Sequence, residues 1–250
     1  MKRMFKLGWV ILILGLIMAG IGYLNHGNRT IVLNGGWPRV IKQHTKTLSH
    51  GQKFTRINLS ASTADVVIRQ GEQYQIKYYG MGGALPTAKI TNQIATVKQK
   101  GHLQYLFNIN SQAERDLIVI TVPKKADLAG KVKLASGDLR VSNVSLKNVK
   151  VDVNSGDVDY NHVNLTGGKT HLESGDFNAQ ALSVRGHYTV LNEAGDNTVA
   201  NTEVDGYFLQ TDNGDNEMNG EDQGDLNLAQ NENADNVLHL ITTDGDNEVN

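Results

Sequence analysis

A small-Gly-Asp triplet recurs at nearly constant spacing through the second half of this 250-residue chain. The copies are Ser136-Gly137-Asp138, Ser155-Gly156-Asp157, Ser174-Gly175-Asp176, Ala194-Gly195-Asp196 and Asn213-Gly214-Asp215, with a degenerate Asn233-Ala234-Asp235 after them. The aspartates advance by 19, 19, 20, 19 and 20 residues. A period of that length marks one supersecondary unit stacked on itself, which constrains the chain to a solenoid. Such a scaffold says how surface is displayed, not what it binds.

Apolar positions keep register with each Asp. The first unit has Leu139, Val141, Val144, Leu146, Val149, Val151 and Val153, and the second has Val158, Tyr160, Val163, Leu165, Gly168, Thr170 and Leu172. The third reads Phe177, Ala179, Leu182, Val184, His187, Thr189 and Leu191, and the fourth weakens to Asn197, Val199, Thr202, Val204, Tyr207, Leu209 and Thr211. Steps of two are the inside–outside alternation of a strand, and the intervening steps of three mark corners. Helical spacing is absent. The reading is all-β: a single-stranded parallel β-helix or β-solenoid with rungs of about 19–20 residues. Gly at each turn supplies positive φ, and Asp can bond nearby amides. Gly137, Asp138, Gly156, Asp157, Gly175, Asp176, Gly195, Asp196, Gly214 and Asp215 are therefore expected to be structural turn residues rather than catalytic ones. Extended backwards by 19 from Asp138, the register places Ile120, Val122, Val132 and Leu134 inside and starts the solenoid near residue 117.

The first residues carry Lys2, Arg3 and Lys6, and Leu7–Leu24 then contains no charge. That length suffices to span a bilayer as a helix, with Trp9 and Tyr23 near its ends. Positive charge before the span predicts a cytoplasmic tail (1–6), an uncleaved transmembrane signal anchor (7–24) in contact with membrane lipid, and an extracytoplasmic remainder at the cell membrane. A cleaved signal peptide is the rival, but no A-x-A site occurs, and Gly20-Ile21-Gly22 lies within the apolar run. The chain has no cysteine, so a lipoprotein, disulfides, thiol catalysis and Cys-type zinc sites are excluded. Residues 25–52 are polar and read as a linker or stalk. Residues 53–116 read as a β-rich lead-in, with alternation at Phe54, Ile57, Leu59, Val66, Ile68, Tyr74, Ile76 and Tyr78, and the solenoid occupies 117–250.

The order of these parts resembles a bacterial cell-envelope family known as "putative adhesins", a domain of unknown function. The residues that carry the likeness are Ile57-Asn58-Leu59, Asp65-Val66-Val67-Ile68-Arg69-Gln70-Gly71, Leu117-Ile118-Val119-Ile120-Thr121-Val122-Pro123 and the serial Ser-Gly-Asp turns, across about residues 53–250. The resemblance implies a β-solenoid outside a membrane and offers no catalytic residues. The late turns depart from it by becoming Gly-Asp-Asn.

Net charge is −2 overall but graded along the chain. Residues 29–150 hold 19 Lys/Arg against 6 Asp/Glu, and residues 190–250 hold 15 Asp/Glu and no Lys/Arg. The acidic end reads as a solvated tip whose charge discourages edge pairing, with a surface for a cation or a basic partner as the alternative. The basic half suits anionic wall polymers, lipid head groups or envelope proteins. No nucleic-acid partner is expected.

No cofactor and no metal site is expected. The nonapeptide calcium repeat and the EF-hand framework are both missing around Gly195-Asp196-Asn197 and Gly214-Asp215-Asn216, which leaves room for weak surface calcium binding at most. Gly80-Met81-Gly82-Gly83 lacks the third glycine and the helix of a dinucleotide loop. The histidines never fall in metal-ligand spacing, and His187 is assigned an inward position. Asp157 and Asp159 share a face by strand alternation. The function expected is a non-enzymatic envelope-binding, adhesin-like or stress-sensing module. The alternative is a carbohydrate-active β-helix enzyme, which would need a cluster of three carboxylates and a Lys or Arg in a groove.

Overall fold

The computed structural model describes residues 8–9, 11–18, 21, 30–34, 37–41, 44–80, 85–101, 104–107, 116–124, 126–222 and 227–250. The chain divides into two compact units. The first comprises Met1–Gln43, Met81–Gly83 and Leu103–Glu114. Its strands Trp37–Ile41, Thr30–Asn34 and Gln104–Phe107 form a three-stranded antiparallel sheet with Thr30–Asn34 in the middle. Residues 8–9, 11–18 and 21 are helical. Among the described residues no helix is long and apolar enough to cross a membrane. The tail 1–6, and residues 7, 10, 19, 20 and 22–24 of the expected span, lie outside the described residues, as do Met81, Gly82 and Gly83 of the discarded glycine motif.

The second unit comprises His44–Gly80, Ala84–His102 and Arg115–Asn250 and is a continuous 19-stranded sheet wound into stacked levels. Each level has a leading strand, a corner and a trailing strand, and equivalent strands pair in parallel. From one end the levels are 94–99 with 117–123, then 56–61 with 65–71, then 127–134 with 139–142. The next are 145–153 with 158–161, 163–172 with 177–180, and 182–194 with 197–200. The last two are 237–244 with 247–249 and, outermost, 206–213 with 216–218. The fold is all-β and solenoid-like, but its levels are not stacked in chain order.

Two segments are intercalated. Residues 56–71 lie between the level containing 117–123 and the level containing 139–142. Ile118 and Ile120 thus align with Val66 and Ile68, and through them with Leu139 and Val141, which corrects the register that placed Ile120 and Val122 directly below Leu139 and Val141. The solenoid therefore draws on residues well before 117. At the other end, 237–249 sits between 182–200 and 206–218, so the Asn233-Ala234-Asp235 copy is not a corner of the stack; Asp246 takes that place.

Antiparallel strands cover both open ends. Thr87–Thr91 lies on Ile94–Gln99, Gln75–Gly80 lies on Leu117–Pro123, and His44–His50 lies outside that. Asn227–Gln230 and Glu221–Asp222 cover the other end. Exposed strand edges invite further pairing, and short antiparallel covers limit it. The stretch 25–52, read as a stalk, thus contains strands. His44–His50 (HTKTLSH) is an edge strand with mostly exposed side chains, so hydrophobic alternation could not reveal it.

One apolar cluster runs the length of the stack, built from inward positions such as Ile57, Leu59, Val66, Ile68, Val132, Leu134, Val151, Val153, Leu172, Val190 and Leu240. The 20-residue step between Asp176 and Asp196 is a bulge. Thr166 pairs with Arg185 and Gly168 with Tyr188, so Gly186 and His187 together oppose Gly167. A bulge leaves one residue unpaired and shifts the residues after it to the other face. Tyr188, Val190 and Asn192 consequently point inward, while His187 and Leu191 are exposed, correcting the inward assignment of both.

Candidate functional site

The turn residues assemble into one column along a corner of the stack. The Asp138 amide donates to Asp65 Oδ1 at 3.0 Å, Asp157 to Asp138 at 3.2 Å, and Asp176 to Asp157 at 3.0 Å. The ladder continues from Asp196 to Asp176 at 3.0 Å, Asp246 to Asp196 at 2.9 Å, and Asp215 to Asp246 at 2.8 Å. Each carboxylate from Asp65 to Asp246 in this order accepts the backbone amide of the next corner, with Asp215 closing the ladder as a donor, and such a charge-assisted bond is stronger than a neutral one. Backbone bonds flank every step, as with Gly156 N–H to Ser174 C=O and Val158 N–H to Asp176 C=O. Asp65 and Asp246 belong to this ladder but lie outside the sequence repeat, because Ala64-Asp65 carries no glycine and Asp246 comes only 11 residues after Asp235.

Glycine is demanded by the stacking. Gly156 has φ of 137°, and a Cβ there would collide with the Gly137 carbonyl of the level below. Gly137, Gly175, Gly195, Gly214 and Gly245 repeat the arrangement, with φ between 124° and 150°.

The late Gly-Asp-Asn turns mark a change inside the core rather than an ion site. Asn197, Asn247 and Asn216 occupy the inward positions held by Leu139, Val158 and Phe177 at earlier levels, and all three are fully buried. Asn197 Nδ2 donates to Asn247 Oδ1, and Asn247 Nδ2 to Asn216 Oδ1, each at 2.8 Å. Asn247 Nδ2 also reaches the Gln210 carbonyl at 2.8 Å. Thr211 and Thr242 hydroxyls donate to the carbonyls of Gly245 and Gly195. A second buried group joins Tyr188 and Thr170 hydroxyls at 2.7 Å, with Tyr160 at 3.3 Å from Tyr188. Burial pushes both phenols up, Tyr188 well above the ordinary value, so both stay protonated donors. Nearer the other end, the buried Asp116 carboxylate accepts from Tyr78 Oη at 2.7 Å and from Gln99 Nε2 at 3.1 Å.

The outward positions of the leading strands form two columns. The first runs Lys89, Thr96, Asn58, Lys131, Lys150, Lys169, Thr189, His239, Phe208. The second runs Thr87, Lys98, Ser60, Lys133, Asp152, His171, Leu191, Ile241, Gln210. Each column is cationic at one end and uncharged at the other. Near the uncharged end the His239 ring lies 5.7 Å from that of His187 and 5.6 Å from that of Phe208. Burial, then the neighbouring His187, holds the His239 imidazole below its ordinary value, with Glu232 opposing.

The trailing strands carry a different pattern. Arg140 bridges Asp138 at 2.9 Å and Asp159 at 3.3 Å. Burial raises the Asp159 carboxyl, against Arg140 and the Asn178 amide, with Asp157 and Asp138 adding to the rise. Asp157 and Asp159 thus have separate duties, one in the ladder and one in an ion pair. A shallow groove of about 300 Å³ is lined by His162, Asn164, Ala181, Ser183, Asn201 and Glu203, with one carboxylate among them. Among the described residues no three His, Cys, Asp or Glu side chains converge as a metal site.

The chain is similar in structure to a "putative cell adhesion protein" from Clostridium sporogenes, at 15% identity and a TM-score of 0.48, covering 84% of this chain and 98% of that one. It is also similar to a "putative adhesin" from Bacteroides fragilis, at 12% identity and a TM-score of 0.40, covering 84% and 97%. A "putative lipid binding protein" from Parabacteroides distasonis matches at 10% identity and a TM-score of 0.27, covering 83% and 97%. No curated protein matches the chain. The family model described as Toastrack DUF4097 matches residues 128–250, which hold most of the corner ladder.

Proposed function

We propose that this chain is a membrane-anchored, extracytoplasmic binding module of the cell envelope, adhesin-like and without enzymatic activity. The observation that carries the reading is the fate of the turn aspartates. They are the acidic groups that recur at one place on every late level, and the carboxylates of Asp138, Asp157, Asp176, Asp196 and Asp246 are each committed to an amide of the next level. They hold the stack; they do not converge on a substrate. What the fold then offers is a rigid set of side-chain columns on flat strands, which suits recognition of an extended partner.

Anchoring rests on Lys2, Arg3 and Lys6 ahead of the uncharged run 7–24, an orientation signal that leaves the solenoid outside. Protease added to intact cells tests this. The expected outcome is loss of residues beyond the span while a short anchor stays in the membrane fraction. Full-length protein recovered from the cytosol, or protected until lysis, overturns the topology.

A further inference from the structure

We propose that the leading-strand face between Lys89 and Lys169 binds a linear polyanion laid along the stack axis. Lys131, Lys150 and Lys169 stand on three successive parallel strands in strict register. Adjacent strands are about 4.8 Å apart, so these ammonium groups spring from a ruled line. Lys89, three strands further out, prolongs that line through Thr96 and Asn58. Lys98 and Lys133 run beside it in the second column, separated by Ser60. Lys89, Lys98, Lys131, Lys133 and Lys169 are exposed.

Little on this face neutralises them. At the outward positions of these leading strands the carboxylates are Asp127, at the start of the strand that carries Lys131, and Asp152, 3.1 Å from Lys150 and 3.7 Å from Lys133. Among the described residues neither Lys131 nor Lys169 is in ion-pair contact with a carboxylate. The trailing face of the same levels differs: it shows Arg69, Thr121, Arg140, Ser142, Asp159 and Asn161, with Arg140 already engaged by two carboxylates. The cationic line also has a defined end. After Lys169 the first column continues as Thr189, His239 and Phe208, in the part of the chain that holds acidic residues and no Lys or Arg. A polyanion is attracted along the lysines and repelled beyond them.

A polymer fits better than a lipid surface. The outward neighbours of these lysines are mostly polar, Thr87, Thr96, Asn58, Ser60 and His171, and the exposed large apolar side chains near them, Ile94 on the strand of Lys98 and Leu191 one level beyond His171, stand apart and form no continuous patch to enter a bilayer. A lattice of evenly spaced point charges on a stiff sheet matches a chain of successive phosphates or carboxylates. Lysine, unlike arginine, makes no bidentate demand on the geometry of each anion.

The inference rests on the binding-module reading but fails separately from it, since polymer binding is measured on purified protein and topology on cells. The full chain in neutral detergent is titrated with linear polyphosphate and with polygalacturonate across a salt series, and with phosphatidylcholine vesicles containing an anionic phospholipid. Lys131→Glu/Lys150→Glu/Lys169→Glu is compared with Lys46→Glu/Arg69→Glu/Lys124→Glu, which changes net charge equally on other surfaces. The expected result is at least tenfold weaker polymer binding for the first variant, with the log–log salt slope reduced by about 2, and less than twofold change for the second. Lys131→Arg/Lys150→Arg/Lys169→Arg should bind like the parent. Binding of one polymer and not the other identifies phosphate or carboxylate as the anion. If the Glu column variant does not fold, Lys131→Gln/Lys150→Gln/Lys169→Gln carries the comparison. Equal losses in both charge-reversed variants, no polymer binding, or vesicle binding that the polymers fail to displace would overturn the proposal.

Discussion

Single residues in this fold act through the level above or below them rather than through their chain neighbours. Gly156 shows how. Valine there must hold a backbone with φ of 137° and place a Cβ against the Gly137 carbonyl. The conformational strain alone costs about 1–3 kcal/mol, and the collision adds to it. Gly186 separates the two effects, because its φ of 73° is also left-handed but an added Cβ meets nothing within 4 Å. Thermal melting should therefore show a larger drop for Gly156→Ala than for Gly186→Ala, and the largest for Gly156→Val; equal drops would remove the stacking explanation. His239 acts across levels too. Its ring is partly buried against His187 and Phe208, its Nε2 is buried without a partner, and its imidazole is held below the ordinary value of 6.5. Between pH 6.5 and the lowered folded value the unfolded chain binds a proton at this site that the folded chain does not. Stability must then fall as pH drops through that window, with no contribution from this group above it. In melts from pH 7.5 to pH 5, His239→Gln should lose less stability on acidification than the parent. Parallel curves would mean that His239 titrates alike in both states.

At the scale of strands, the core changes chemistry along the stack, and the Asn197–Asn247–Asn216 ladder marks the change. Asn247→Leu takes an acceptor from Asn197 Nδ2 and a donor from Asn216 Oδ1 and the Gln210 carbonyl. Burying a polar group deprived of its partner costs about 1–3 kcal/mol. Replacing all three by Leu removes the paired demand and imitates the apolar levels at Leu139, Val158 and Phe177. The triple variant should thus melt closer to the parent than Asn247→Leu alone, a non-additive result expected of residues in one network; a simple sum of three losses would contradict it. Such ladders also explain which features are legible in the sequence. The repeating Gly-Asp turns are legible because geometry demands both residues at each corner. The inward asparagines are not, since Asn197 looks like a weakened apolar position until its stacked neighbours are known. The extra residue in the third spacing is visible as a count of 20, but nothing local says where it bulges, so alternation alone assigns His187 and Leu191 to the wrong face. The lysine columns show in the sequence as a basic half of the chain and not as lines, because their register depends on which strands are neighbours.

Neighbour identity is what the molecule settles only when it is assembled. Apolar alternation is equally satisfied by many stacking orders, so a repeat read along the chain suggests levels in chain order and a solenoid beginning near 117. The structure instead inserts 56–71 below the first Gly-Asp corner. Leu139–Ser142 pairs with Val66–Arg69 on one side, Ala129–Leu134 pairs with Arg56–Ala61, and the Asp138 amide is held by Asp65 Oδ1. Leu117–Pro123 in turn has its parallel partner in Asp65–Gly71, not in the repeat. A fragment spanning 117–250 would keep every recognisable turn and yet lose the level that joins its first strands, leaving Val132, Leu134, Leu139 and Val141, all buried in the intact unit, along an open edge. Long-range pairing of this kind must be completed before its stabilisation is gained, and an uncovered apolar edge favours association with other chains. The expected outcome is that 44–250 gives a single cooperative melt, whereas 117–250 aggregates or melts at a much lower temperature with fast amide exchange in 129–142. Adding a peptide covering residues 53–72 should restore part of the lost protection, because that segment supplies both missing strands. A 117–250 fragment with the midpoint of 44–250, indifferent to the peptide, would show that the repeat is self-sufficient and that the intercalated level is an accessory to it.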